Sequence, residues 1–94
     1  MENKRLIAFV HGTVQGVGFR WWTKSQALEL GLAGSATNLA DGRVYVVAEG
    51  PAARCEDLLT RLKEIPTNHR RPGEVTLVVE QWGQPQGEQG FRER

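Results

Sequence analysis

The run GSATNLADGRVYVVAEG, Gly34 to Gly50, limits what the chain can fold into more than any other segment. Asp41-Gly42 stands between two strand-like runs, a dipeptide suited to a tight turn with positive backbone angles. Val44, Val46 and Ala48 alternate with Tyr45, Val47 and Glu49, the period of a β-strand. A hairpin at the centre of 94 residues leaves room for only a few elements on either side.

Those flanks read clearly. Upstream, RLIAFVHG alternates Leu6, Ala8 and Val10 with Ile7, Phe9 and His11, a strand apolar on both faces. A glycine-rich run follows, and then a helix on which Phe19, Thr23, Gln26, Ala27 and Leu30 share a face, with Trp22 on its flank and Gly31 as C-terminal cap. Downstream, GPAARCEDLLTRLKEIP opens with Pro51 in a first helical turn and spaces Cys55, Leu58, Leu59 and Leu62 helically, with Pro66 stopping it. TNHRRPG is a polar loop, EVTLVVEQW a strand, and FRER a short terminal strand. The order is β-α-β-β-α-β plus a short fifth strand. It specifies an α+β, ferredoxin-like sandwich: an antiparallel sheet of four to five strands with two helices on one face. No repeat, linker or low-complexity segment interrupts it, so residues 1–94 are expected to form a single domain. Such a fold hosts many functions and cannot name one.

Charge and cysteine content narrow the classes. Twelve Lys and Arg against 11 Asp and Glu leave a net charge of +1, without the basic face of a duplex-binding protein. The lone cysteine, Cys55, excludes an intramolecular disulfide and any multi-cysteine metal site, and reads as a small buried apolar residue. The N-terminus lacks the long apolar segment and cleavage site of a secretory signal, and no stretch approaches membrane-spanning length. A soluble, cytoplasmic protein is expected.

The run VHGTVQGVGFRWW, Val10 to Trp22, concentrates the chemistry. Gly16 and Gly18 let a backbone turn its N–H groups inward as an anion nest, and the following helix adds its positive end at the same place. Arg20 adds a guanidinium fork suited to phosphate or carboxylate oxygens. Neither the Walker spacing nor the dinucleotide-binding spacing is present, the latter because Trp21 stands where a glycine is required. From the residues alone, an anion site and a plain strand-to-helix turn with a surface arginine both remain open.

VHGTVQGVGFR resembles the first signature of the acylphosphatase family, and GLAGSATNLADGRVYVVAEG resembles the second, with Asn38 at its centre. The similarity runs from about Leu6 to the C-terminus. It implies hydrolysis of the carboxyl–phosphate anhydride of small acyl phosphates to a carboxylate and inorganic phosphate, without metal, cofactor or covalent phosphoenzyme. It implies that Arg20 and the backbone N–H groups of Gln15, Gly16, Val17, Gly18 and Phe19 hold the phosphate, and that Asn38 positions the attacking water. The implied partners are a small-molecule acyl phosphate and, as product-like ligands, inorganic phosphate or sulfate. Nucleic acid and membrane are not expected, and the protein is expected to be a monomer.

The chemistry agrees with that residue set. A carboxylate is already a good leaving group, so no general acid is needed. Phosphoryl transfer is mostly positioning and electrostatics, which N–H donors and one guanidinium supply. An asparagine amide orients water without acting as a base, leaving the proton to a phosphate oxygen.

Plainer readings stand beside these. An asparagine before an Asp-Gly turn also satisfies backbone groups. His11 and His69 lack ligand spacing and read as structural or solvated. Trp21 reads as a rim residue or a holder of an apolar acyl group, Trp82 as core or edge packing, and Arg70 and Arg71 as a solvated loop pair. Four positions depart from the family pattern: Ser35 and Ala36 replace an aromatic and a valine, Thr37 replaces a basic residue, and Glu93 occupies an apolar position of the last strand. Losing the charge at position 37 should weaken phosphate attraction, and Glu93 puts the packing of the last strand in doubt. An RNA-recognition module shares the element order, but it stacks bases on aromatic strand faces that this chain furnishes only with Phe9 and Tyr45. A phosphate-binding accessory domain of the kind found in carbamoyl-transfer enzymes is the remaining alternative, and carbamoyl phosphate belongs to the same substrate class.

Overall fold

A computed structural model describes residues 2–64 and 69–94. It contains β1 (Asn3–Thr13), α1 (Phe19–Glu29), β2 (Ala33–Asn38), β3 (Val44–Pro51), α2 (Ala52–Lys63), β4 (Glu74–Gly83) and β5 (Phe91–Glu93). The strands lie in the order β4-β1-β3-β2-β5, with α1 over β2 and β5 and α2 over β1, β3 and β4. The expected α+β sandwich is what forms.

The alternation in the strands selects the covered face. Leu6, Ala8 and Val10 of β1 and Val44, Val46 and Ala48 of β3 are fully buried, as is Ala36 of β2. They pack against Phe19, Trp22 and Ala27 from α1, Leu30 just after it, and Cys55, Leu58, Leu59 and Leu62 from α2, forming one core. Trp22 is buried in this core rather than flanking it. Its ring lies against Phe19 at 5.7 Å between centroids, and its Nε1 donates to the His69 carbonyl at 2.8 Å. The opposite sheet face carries Phe9 against Tyr45 with the Arg43 guanidinium 4.9 Å above the Phe9 ring.

Helix ends follow the chemistry of unpaired backbone groups. Gly31 caps α1 as expected: the Gly31 N–H bonds to the Leu28 carbonyl and the Leu32 N–H to that of Ala27, the double bond of a Schellman ending. Pro51 closes β3 and stands just before α2, with φ −55° and ψ 136°, one residue short of the first helical turn anticipated for it. The final carbonyls of α2 lack intrahelical donors. Arg71 supplies them, its Nη1 donating to Arg61 and Leu62 at 3.0 and 2.7 Å, so it is a helix cap and not a solvated loop charge. Pro66, expected to stop α2, lies outside the described residues, as do Thr67 and Asn68 of the polar loop.

Two expectations about the sheet need correction. The β2–β3 turn is not a two-residue turn with positive angles at both Asp41 and Gly42. Leu39 N–H bonds to the Arg43 carbonyl at 2.8 Å and Gly42 N–H to the Leu39 carbonyl at 3.2 Å. Within this loop only Gly42, at φ 96°, has a positive φ. This is the longer hairpin loop that ends on a left-handed glycine. The sheet is also mixed: β1–β3, β1–β4 and β2–β3 are antiparallel, but β5 runs parallel to β2. The cause is the connection from β4, which crosses the end of the sheet where β2 begins and delivers β5 to start beside that end.

Glu49 holds this crossing in place. Its carboxylate, 7% exposed, accepts the N–H groups of Gln86, Gly87 and Glu88 at 2.7, 3.1 and 3.0 Å and pairs with Arg5 at 2.6 Å. Burial would raise its pKa, but the backbone donors and the guanidinium outweigh that and hold it below the ordinary glutamate value. β5 is then well anchored: Phe91 is buried, and Gly34 N–H to Gly90 and Arg94 N–H to Ala36 bracket the strand at 2.8 and 2.7 Å. Glu93 is exposed and does not disturb this packing.

Candidate active site

The segment between β1 and α1 begins with Val14, 1% exposed, which pins it to the core, and ends with buried Phe19. Between them Gly16 and Gly18 adopt φ 74° and 83°, left-handed angles that cost side-chain-bearing residues about 1–2 kcal/mol. Gly18 is the N-cap of α1 and carries no side chain to satisfy the first-turn donors, and no acidic residue occupies that turn. Among the described residues, the backbone N–H groups from Gln15 to Phe19 have no protein acceptor. Several donors and the positive end of a helix thus meet in the segment that the sequence offers as an anion nest or a plain turn.

Arg20 lies in the first turn of α1, partly buried. Its Nη1 donates to the main-chain oxygen of Arg94 at 2.6 Å, which fixes the guanidinium between α1 and the end of β5. Nothing in the sequence signals this contact, because it joins positions 74 residues apart.

Asn38 is the last residue of β2, paired with Val44. Its Oδ1 is buried without a hydrogen-bond partner among the described residues. The reading in which Asn38 merely satisfies the turn therefore does not account for its acceptor atom. An orphaned buried acceptor costs about 1–3 kcal/mol and marks a place where a ligand or water belongs. Thr37 alternates with Asn38 and lies opposite Tyr45, so position 37 faces the sheet surface away from the helices.

Gln15 joins the two halves. Its Nε2 donates to the carbonyls of Leu39 and Arg43 at 2.8 and 3.0 Å, tying the glycine-rich loop to the hairpin that follows Asn38. The sequence reading credited Gln15 with its backbone only. That it is the one polar side chain in Val14–Gly18 was the available signal. Val17 in the loop and Trp21 in the first turn of α1 are exposed apolar side chains, at 37% and 65%. His11 and His69 stand apart from this cluster; His69 Nδ1 lies 3.2 Å from a Glu64 carboxylate oxygen. Trp82 is on the edge strand β4, partly exposed. Among the described residues no group of three or more His, Cys, Asp or Glu could hold a metal ion, and no helix is long and apolar enough to cross a membrane.

Known proteins match this chain over nearly its whole length. An acylphosphatase of Corynebacterium efficiens is 73% identical over 93 residues, covering 99% of this chain and 94% of its own. The crystal structure of acylphosphatase from Bacillus subtilis superposes with a TM-score of 0.85 at 28% identity, over 97% of this chain and 98% of that one. Full-length HypF, in its phosphate- and nucleotide-bound form, matches in fold alone, at TM-score 0.85 and 22% identity over 99% of this chain and 12% of that one. The acylphosphatase family profile matches residues 6–93, which include the glycine-rich loop, Arg20, Asn38 and the crossing that carries β5 back to them. The chain belongs to the acylphosphatase family.

Proposed function

We propose that this chain, as a single domain over residues 1–94, hydrolyses the carboxyl–phosphate bond of small acyl phosphates, carbamoyl phosphate among them, with Arg20 and the loop as phosphate seat and Asn38 as water holder. The observation that carries this reading is the buried Asn38 Oδ1, without a partner among the described residues, on a hairpin tied to a loop whose N–H donors likewise have no acceptor among them. The N–H groups from Gln15 to Phe19 and the Arg20 guanidinium take the phosphate oxygens, whose charge they stabilise as the P–O bond to the carboxylate lengthens. Asn38 Oδ1 accepts one hydrogen of a water and aims its oxygen at phosphorus. The water's proton passes to a phosphate oxygen, and the carboxylate departs unprotonated. Rate comes from orientation and electrostatics, not from a nucleophilic side chain. The protein acts as a cytoplasmic monomer, with phosphate or sulfate binding as product-like ligands.

The test is phosphate release from benzoyl phosphate in the presence of EDTA. Arg20→Ala should lose about 10²–10³-fold or more in rate, the scale of one key electrostatic donor. Asn38→Ala should fall similarly while inorganic phosphate still inhibits at nearly its original concentration. An Arg20→Ala variant as active as the parent would falsify the phosphate seat. Loss of phosphate affinity in Asn38→Ala, matching its loss of rate, would remove the water-holding role.

A further inference from the structure

The hairpin after Asn38 closes by itself. Leu39 N–H reaches the Arg43 carbonyl, and Gly42 N–H reaches the Leu39 carbonyl. Both carbonyls then accept a second hydrogen bond, from the same nitrogen, Gln15 Nε2. A carbonyl has two lone pairs, so these bonds are additional to the turn's own and are not required to form it. Their acceptors flank the Asn38–Val44 pair: Leu39 follows Asn38, and Arg43 precedes Val44. On the other side, Gln15 belongs to the loop whose N–H groups stay open, next to Val14 in the core.

We infer that the Gln15 side chain is a positioning residue that sets the separation between the phosphate seat and the Asn38 amide. The inference rests on the water-holding reading of Asn38. In-line attack requires the water opposite the departing carboxylate, and a shift of about 1 Å can cost on the order of 10²-fold in rate. The loop and the hairpin come from separate elements, β1–α1 and β2–β3, and Gln15 spans the gap between them. Phosphate binding uses only the loop and Arg20, so losing the strut should leave it in place and move the water.

The experiment is a double-mutant cycle of Gln15→Met, which keeps length but removes both donors, with Asn38→Ala. Expected for Gln15→Met is a fall of about 10-fold or more in kcat, with the inhibition constant of inorganic phosphate within about twofold. In the Asn38→Ala background the same change should alter kcat by less than about twofold, because the group it positions is gone. Gln15→Asn, whose amide is one methylene too short to reach both carbonyls, should behave like Gln15→Met, and it serves if the methionine variant fails to fold. A merely structural role would lower the melting temperature and leave kcat per folded molecule unchanged, which overturns the inference. Independent, multiplying losses in the double variant also overturn it. Full activity of Asn38→Ala alone would instead sink the reading of Asn38 itself, a separable outcome.

Discussion

Arg20 and Arg94 meet through a 2.6 Å hydrogen bond from guanidinium to main-chain oxygen, so the end of β5 holds the arginine of the proposed phosphate seat. The bond uses the backbone of residue 94 and not its side chain. Arg94→Ala should therefore keep parent kinetics, whereas removing residue 94 should release the guanidinium. An exposed charge-assisted bond is worth about 1 kcal/mol, so the KM for benzoyl phosphate should rise about fivefold. Steady-state kinetics of the two variants check this. Equal behaviour would mean that Arg94 does not orient Arg20.

Gly18 separates backbone strain from crowding. A Cβ added there meets nothing within 4 Å, yet φ is 83°. Gly18→Ala should cost about 1–2 kcal/mol of stability through the left-handed angle alone. If the loop relaxes to escape that strain, its N–H groups turn away and kcat/KM falls with stability. Urea denaturation and kinetics on one preparation test both effects.

Glu49 makes stability depend on pH. Its folded pKa lies below the ordinary 4.5, so its contribution is complete above that value and is lost as pH falls through the depressed folded value. Glu49→Gln leaves Arg5 with Glu88 alone and sets an amide NH₂ against backbone donors. The expected loss at pH 7 is about 3 kcal/mol, with a shallower decline below pH 4.5 than in the parent. Some slope should persist, because Asp41 and Glu80 are also held below their usual values, by Arg43 and Lys63. Urea midpoints between pH 3 and 7 provide the measurement.

Cys55 should be inert in the folded protein. Burial pushes its thiol to about 11. At pH 8 a thiol reagent should react only after denaturant is added. Because the folded value is raised, the thiol's contribution is present below the usual thiol pKa and is lost as pH rises through about 11. Rapid labelling of native protein would contradict its placement.

What could be read from residues alone was local. Period-two runs located β1 and β3, helical spacing found the buried faces of α1 and α2, and Gly31 announced its cap, because each signal lies within a few residues. Motif resemblance pointed to Arg20 and Asn38. What escaped depends on chain topology. The parallel pairing of β5 follows from a crossing that no short window shows, and Arg71 found the end of α2 only because the fold returned it there. Gln15 and Arg94 were missed for the same reason: their partners lie 24 and 74 positions away. Pattern reading finds which residues are chemically suited to a site, whereas packing decides which others hold them still.

The crossing from β4 to β5 has a kinetic consequence. It places the contact that supports the proposed phosphate seat between the first turn of α1 and residue 94, a pairing that local folding cannot supply. Contacts between remote segments carry a loop-closure cost that must be met before they contribute. Secondary structure and much of the core can therefore organise in a growing or refolding chain while its arginine is still unsupported. Regain of full activity, timed against regain of helix signal after dilution from urea, becomes a clock for the docking of the final strand.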